Sequence, residues 1–156
     1  MKTITAEDLI QHYQLTPHPE GGYYAQSFKS TQRQGNRACS TAIYFLLTRS
    51  NVSKFHRLKS DEVWHFYLGD PLIVVELKEG KVCETRLGAR VFEGEKLQYV
   101  VPAGTWFGSY LPETSDFSFV GCTVAPGFEF EDFEMAKRES LLGQFPDAKE
   151  AIFKLT

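Results

Sequence analysis

The sequence has little cysteine, no basic excess and no long apolar run, and each shortage removes a class of function. Cys39, Cys83 and Cys122 form neither a CxxC pair nor an even disulfide framework. Each sits in an apolar or strand-like run, which predicts buried, reduced thiols. Lys and Arg number 17 against 20 acidic residues, net charge −3, and the basic residues are scattered. A nucleic-acid surface needs a basic face to neutralise phosphates, so DNA and RNA are not expected partners. No apolar run approaches the roughly 18 residues of a membrane span, and MKTITAEDL lacks a hydrophobic signal core. The sequence therefore predicts a cytoplasmic protein with no membrane partner. P-loop, dinucleotide glycine fingerprint, Ser-His-Asp order, internal repeat and linker are all missing. The length of 156 residues fits a single domain over 1–156.

Aromatic residues are plentiful, with Phe at 13 positions, which suits an all-β core or a pocket walled by rings. A short helix opens the chain: Thr5 caps it, Asp8 lies three residues on, and Leu9, Ile10 and Tyr13 share a face. Nine short runs follow, YYAQSF, STAIYFLLT, KFHRL, EVWHFYL, LIVVEL, VCETRLG, LQYVV, TWFGSYL and DFSFVGCTV. They are rich in Val, Ile, Phe, Tyr and Thr, and Gly, Pro, Asp or Asn separates most of them. Close spacing without intervening helices predicts a sandwich or barrel. The tail reads as a helix over 136–142 capped by Gly143, then a second opened by Pro146. In that second helix Ala148, Ala151, Ile152 and Leu155 form one stripe for packing on the barrel.

The chemistry gathers in SKFHRLKSDEVWHFYLGD, residues 53–70, which holds His56, Glu62 and His65. Strand alternation puts Glu62, Trp64 and Phe66 on one face and Val63, His65 and Tyr67 on the other. A hairpin joining KFHRL to EVWHFYL would bring His56 and Glu62 together on the inner wall, with His65 outside.

This pattern resembles the cupin superfamily, whose first motif is G-x5-H-x-H-x3,4-E-x6-G and second G-x5-7-P-x-G-x2-H-x3-N. His56, Glu62 and Gly69 match the first motif, and Gly94, Pro102 and Gly104 the second. The run from about 16 to 134 also resembles the cupin-five family, through HPEGGYY, FHR, SDEVWHFYLGDPL, VPAGTWF and GCTVAPGFEFEDFE. The resemblance implies a double-stranded β-helix, the RmlC-like jelly roll, with a homodimer as its usual assembly. It also implies a ligand set of three His and one Glu, from which this chain departs. Leu58 stands at the second His of the first motif, Phe107 at the His of the second, and Leu111 at the Asn. No cofactor is therefore expected; His56, Glu62 and His65 would hold a divalent metal weakly at best.

An imidazole with a carboxylate partner in an apolar cavity is a base. Metal-free cupin epimerases of deoxysugar nucleotides use such a pair with a tyrosine as acid. By that analogy His56 is the base, Glu62 its orienting partner and Tyr44 the acid, with Tyr24 and Tyr110 as alternatives. The expected ligand is a small molecule, sugar-like or nucleotide-linked. A non-catalytic binding cupin and a metal-dependent enzyme are the other readings. Gly21-Gly22 permits positive φ, so Glu20 is aimed into the barrel mouth. Trp64 and Trp106 offer stacking surfaces and Ser109 a hydroxyl. Arg57 faces away from His56, towards a surface ion pair. In PGFEFEDFE, Phe128, Phe130 and Phe133 anchor a returning segment, leaving Glu129, Glu131 and Asp132 mostly solvated.

Overall fold

The computed structural model describes residues 3–156. Helix α1 (Ala6–Tyr13) starts with the anticipated reciprocal cap: the Asp8 N–H donates to Thr5 Oγ1 at 3.2 Å, and the Thr5 N–H to Asp8 Oδ2 at 3.0 Å. The strands follow as β1 (Thr16–Pro17), β2 (Tyr23–Lys29), β3 (Arg33–Gln34), β4 (Arg37–Ala38), β5 (Thr41–Thr48), β6 (Ser53–Arg57) and β7 (Asp61–Gly69). Next come β8 (Leu72–Lys78), β9 (Lys81–Leu87), β10 (Gln98–Val101), β11 (Trp106–Tyr110), β12 (Phe117–Ala125) and β13 (Glu134–Met135). Helices α2 (Arg138–Gln144) and α3 (Lys149–Lys154) close the chain.

Two antiparallel sheets face each other as a jelly roll. One runs β1-β2-β5-β12-β7-β10 and the other β13-β6-β11-β8-β9, with β3 and β4 as a separate ribbon. Between the sheets lies the main core, including Phe45, Trp64, Val74, Phe107 and Val120, contributed by strands of both. The outer face of the five-stranded sheet carries Phe55, Val75 and Trp106 beneath Leu141, Ile152 and Leu155 of the terminal helices. On the other side, α1 lays Leu9 on Leu46 and Phe119 of the six-stranded sheet. Strand β8 is thus covered on both faces, so LIVVEL reads as a continuous apolar run.

Two expectations need correction. KFHRL and EVWHFYL do not form a hairpin: β6 pairs with β11 and β13, while β7 pairs with β12 and β10 in the opposite sheet. Their inward residues meet across the barrel, not along a ladder. Gly143 does not cap the penultimate helix but lies within it, and α2 ends at Gln144 ahead of Pro146. The missing ring nitrogen donor of Pro146 suits the start of the next turn, which runs directly into α3. No helix among the described residues is long and apolar enough to cross a membrane.

Candidate functional site

A cavity of about 180 Å³ opens at one end of the barrel. Its polar wall includes His18, Glu20, His56 and Glu62, with Gln26 and Thr41, and its apolar wall includes Ile43, Leu58 and the rings of Phe128, Phe130 and Phe133.

Glu20 arrives there because of the turn that precedes β2. Gly21 has φ +110° and Gly22 φ +75°; a Cβ on Gly21 would stand 1.9 Å from the Val52 carbonyl oxygen. Only glycine tolerates that combination of dihedral and approach. The turn is fastened by Gly21 N–H to His18 O at 3.0 Å and by Lys54 N–H to Glu20 O at 2.8 Å. The second bond ties the HPEGG segment to β6, next to His56.

His56 is buried at 2% exposure, and its partner is Glu20. Nε2 lies 2.8 Å from Glu20 Oε2, and Nδ1 donates to the Lys54 carbonyl oxygen at 2.6 Å. Both ring nitrogens face acceptors, so the ring is an imidazolium donating twice. Burial opposes that charge, but Glu20, the Lys54 carbonyl and more distantly Glu62 outweigh it and raise the His56 pKa. Burial likewise opposes the Glu20 carboxylate, and the His56 charge and hydrogen bond overcome it, holding Glu20 below its usual range.

Glu62 is the unpaired carboxylate. Burial, then repulsion from Glu20, push its pKa up to about 7, partly offset by His56, Trp64 and Cys122. The Trp64 indole N–H makes no hydrogen bond of ordinary geometry, yet stands close enough to favour the charged form of Glu62. The Cys122 thiol beside it is driven well above its normal range by burial and by Glu62. Cys122 therefore stays a thiol, as a buried structural cysteine does; Cys39 and Cys83 are half-buried and also free.

His18 escaped the sequence reading, although HPEGGYY contains it. Its Nδ1 accepts the Glu20 N–H at 3.1 Å, which puts the ring proton on Nε2. Burial chiefly keeps the ring neutral, against the pull of Glu20. Nε2 has no protein hydrogen bond among the described residues. The ring packs edge-on to Tyr24 at 4.5 Å between centroids and near Phe133 at 5.9 Å.

Of the other residues singled out in the sequence, several lie outside the cavity. Tyr44 points to the outer face, stacked on Phe119 at 5.4 Å and against Tyr13 of α1. Phe45, one residue on, takes the inward direction. Tyr24 is the tyrosine that lines the cavity, while Tyr110 donates to Glu84 at 3.0 Å on another surface. Trp64 is buried in the core between Phe45 and Phe107. Trp106 faces the terminal helices and carries the Arg57 guanidinium 4.3 Å above its ring. Arg57 also pairs with Glu134 at 2.7 Å, the ion pair its parity implied. Ser109 points inward but does not line the cavity, and its hydroxyl is buried without a partner. His65 sits on the outer face, bonded to Thr123 Oγ1 at 2.9 Å and Gln98 at 3.1 Å.

The acids of PGFEFEDFE stay out of the cavity while its three phenylalanines enter it. Asp132 pairs with Arg37 of β4 and, at 3.7 Å, with Lys59; Glu129 pairs with Lys29 at 3.6 Å. The Phe128 N–H donates to Thr41 Oγ1 at 2.9 Å. The segment is a strap pinned on its charged side and aromatic on its inner side.

The metal set of the cupin pattern does not fit. Leu58 and Phe107 occupy two of its four positions, Glu20 occupies Nε2 of His56, and His65 faces out. Among the described residues no three His, Cys, Asp or Glu side chains are arranged to share an ion.

Comparison with known proteins agrees with this architecture. A family model described as cupin superfamily (DUF985) matches residues 7–136. An uncharacterized yeast protein, YML079W of Saccharomyces cerevisiae, is 32% identical over 87% of this chain and 77% of its own. Protein SO0799 of Shewanella oneidensis has a crystal structure that superposes with TM-score 0.94 at 40% identity, covering 99% of this chain and 98% of that one. A hypothetical protein from Leishmania major gives TM-score 0.93 at 37% identity, covering 98% and 99%.

Proposed function

Because the chain belongs to the cupin superfamily, in the family DUF985, we propose that its barrel binds a small molecule and acts as a metal-independent isomerase or epimerase. The observation that carries this reading is the unequal pair of carboxylates. Glu20 is locked as an anion against His56, whereas Glu62 has no ion pair and titrates near neutrality. Two carboxylates pushed apart in this way mark a division of roles.

Glu62 is the base in this reading. His56 is not, because both its nitrogens already donate. The Glu62 carboxylate takes a proton from a carbon next to a carbonyl, and the electron pair moves into the enolate. Negative charge developing on the ligand oxygen meets the Nε2–H of His18. Protonated Glu62 returns its proton on the same face for exchange, or Tyr24 donates one on the other face for epimerisation, after which water reprotonates Tyr24 and takes the proton from Glu62.

The test is deuterium incorporation from D2O into a panel of small ketones, hydroxyketones and sugar-nucleotide ketones. Wild-type protein should exchange the α-hydrogen of at least one of them, and Glu62→Gln should slow that exchange by about 100-fold or more. No incorporation across the panel overturns the enzymatic reading. The aromatic wall favours a second reading, a non-catalytic ligand-binding cupin, for which a ligand would stabilise the protein without exchange. In either reading the molecule is taken as a homodimer. The outward face of β7 and β10, where Tyr67 and Val100 are about half exposed, is the apolar surface a second copy would cover. Sedimentation velocity of wild type and Tyr67→Glu checks this.

A further inference from the structure

The geometry points to an uncharged, single-ring carbonyl compound as the ligand of this cavity, and away from any phosphate-bearing one. The inference rests on the proton-transfer reading above and narrows it.

Charge is the first argument. No lysine or arginine lines the cavity. Its one cation, the His56 ring, is neutralised by Glu20 at 2.8 Å and has no N–H left to offer. The cations nearest the mouth are engaged as well: Arg37 and Lys59 hold Asp132, and Lys29 holds Glu129. The strap beside the mouth adds Glu131 and also Glu134, which holds Arg57 at 2.7 Å, so the cations named here already have carboxylate partners. Phosphate recognition commonly uses a bidentate arginine or a lysine, and neither lines this cavity.

Size and surface supply the second argument. A cavity of about 150 Å³ lined by apolar side chains holds a benzene ring. At about 180 Å³ the present one takes a six-membered ring with one or two small substituents. Phe128, Phe130 and Phe133 surround it with rings crossing at 69° to 78°, which present both faces and edges to a flat or chair-like ligand. The polar groups open to a ligand are few: His18, Glu62 and the Tyr24 and Gln26 side chains. His18 Nε2–H donates to the carbonyl, and Glu62 stands ready to accept the adjacent proton. A sugar nucleotide would leave its base, ribose and phosphates outside.

The experiment measures binding directly by ligand-observed NMR and calorimetry on the full chain, with four probes: 2-hydroxycyclohexanone, cyclohexanone, cyclohexylamine and UDP-glucose. The two ketones should bind, at least tenfold tighter than UDP-glucose, and His18→Gln should weaken 2-hydroxycyclohexanone about tenfold. In Gln26→Arg, which places a free guanidinium at the mouth, UDP-glucose binding should rise several-fold while the ketones change little. Tighter binding of UDP-glucose than of both ketones by wild type overturns the inference, as does tighter binding of the amine. If neither ketone binds, the inference also fails. Ketone binding without deuterium exchange upholds it and instead sinks the catalytic reading on which it rests.

Discussion

Glu20 and Glu62 share a residue type and a cavity, yet the protein holds their protons in opposite ways. The difference lies in one contact, the His56 imidazolium, which Glu20 has and Glu62 lacks. It has a measurable consequence for stability. A carboxyl whose pKa rises on folding, here from 4.5 to about 7, holds its proton in the folded state after the unfolded chain has lost it. Stability from this group therefore falls as pH rises from about 4.5 to 7, by about 3 kcal/mol, and is flat above that. Glu62→Gln should remove that slope, which urea unfolding at pH 5 and pH 8 will show. An unchanged slope in the variant would refute a desolvated, unpaired Glu62. Glu20 has the reverse sign: its lowered pKa contributes stability above 4.5 that disappears as pH falls. The raised pKa of His56 contributes below 6.5, and that contribution is lost once pH passes its folded value. Disrupting the pair by Glu20→Gln should thus destabilise most near pH 6, where both partners are charged.

At this scale the sequence disclosed part of the site. Alternation along β7 was enough to turn Glu62 inward and His65 outward, because the register shift against β12 falls later, between Phe119 and Val120. The partner of His56 was not legible. It comes from a turn 36 positions earlier, whose path depends on Gly21 fitting against the Val52 carbonyl. Choosing among three tyrosines failed for a similar reason: whether Tyr44 or Phe45 faces inward is set by the pairing of β5 with β12 and β2.

Among the elements, the strap between β12 and α2 has the most to reveal. Its inner side supplies three rings to the cavity, and its outer side is held by Arg37 and Lys59 on Asp132. Arg37→Ala removes the closer partner and leaves Lys59 at 3.7 Å. We expect amide hydrogen exchange in residues 128–134 to quicken several-fold while the sheets keep their protection, since local opening need not involve global unfolding. Equal acceleration in β8 and β12 would show that the strap does not open by itself. Sequence reading found the alternation of Phe with acids and assigned the rings to packing. It could not tell packing on the barrel from lining a cavity, because the two use the same residues.

For the whole molecule, the arrangement is three apolar layers separated by two sheets. The cavity lies between the sheets, whereas the layer under α2 and α3 is on the far side of β6, β11 and β8. Ile152, fully buried in that outer layer, should cost about 2–5 kcal/mol when changed to Ala. Ketone affinity measured well below the melting temperature should be unchanged, since no cavity-lining residue belongs to the cluster under α3. A parallel loss of affinity would mean the helices brace the site through the sheet. The nine strands were legible in the sequence because each is bounded by turn residues. Which strand pairs with which was not, since a jelly roll joins neighbours in sequence across opposite sheets, as β6 and β7 do here.

The doubly bonded His56 ring has a use of its own. Two N–H protons buried at 2% exposure, one on a carbonyl and one on a carboxylate, exchange slowly with water and should resonate far downfield of ordinary amides. The protein thus carries an intrinsic spectroscopic reporter in the wall of its own cavity. A ligand that reaches the cavity should shift the Nε2–H signal, and one that stays at the rim should leave it in place. Occupancy can then be read from a one-dimensional proton spectrum, without a label, before any reaction is known.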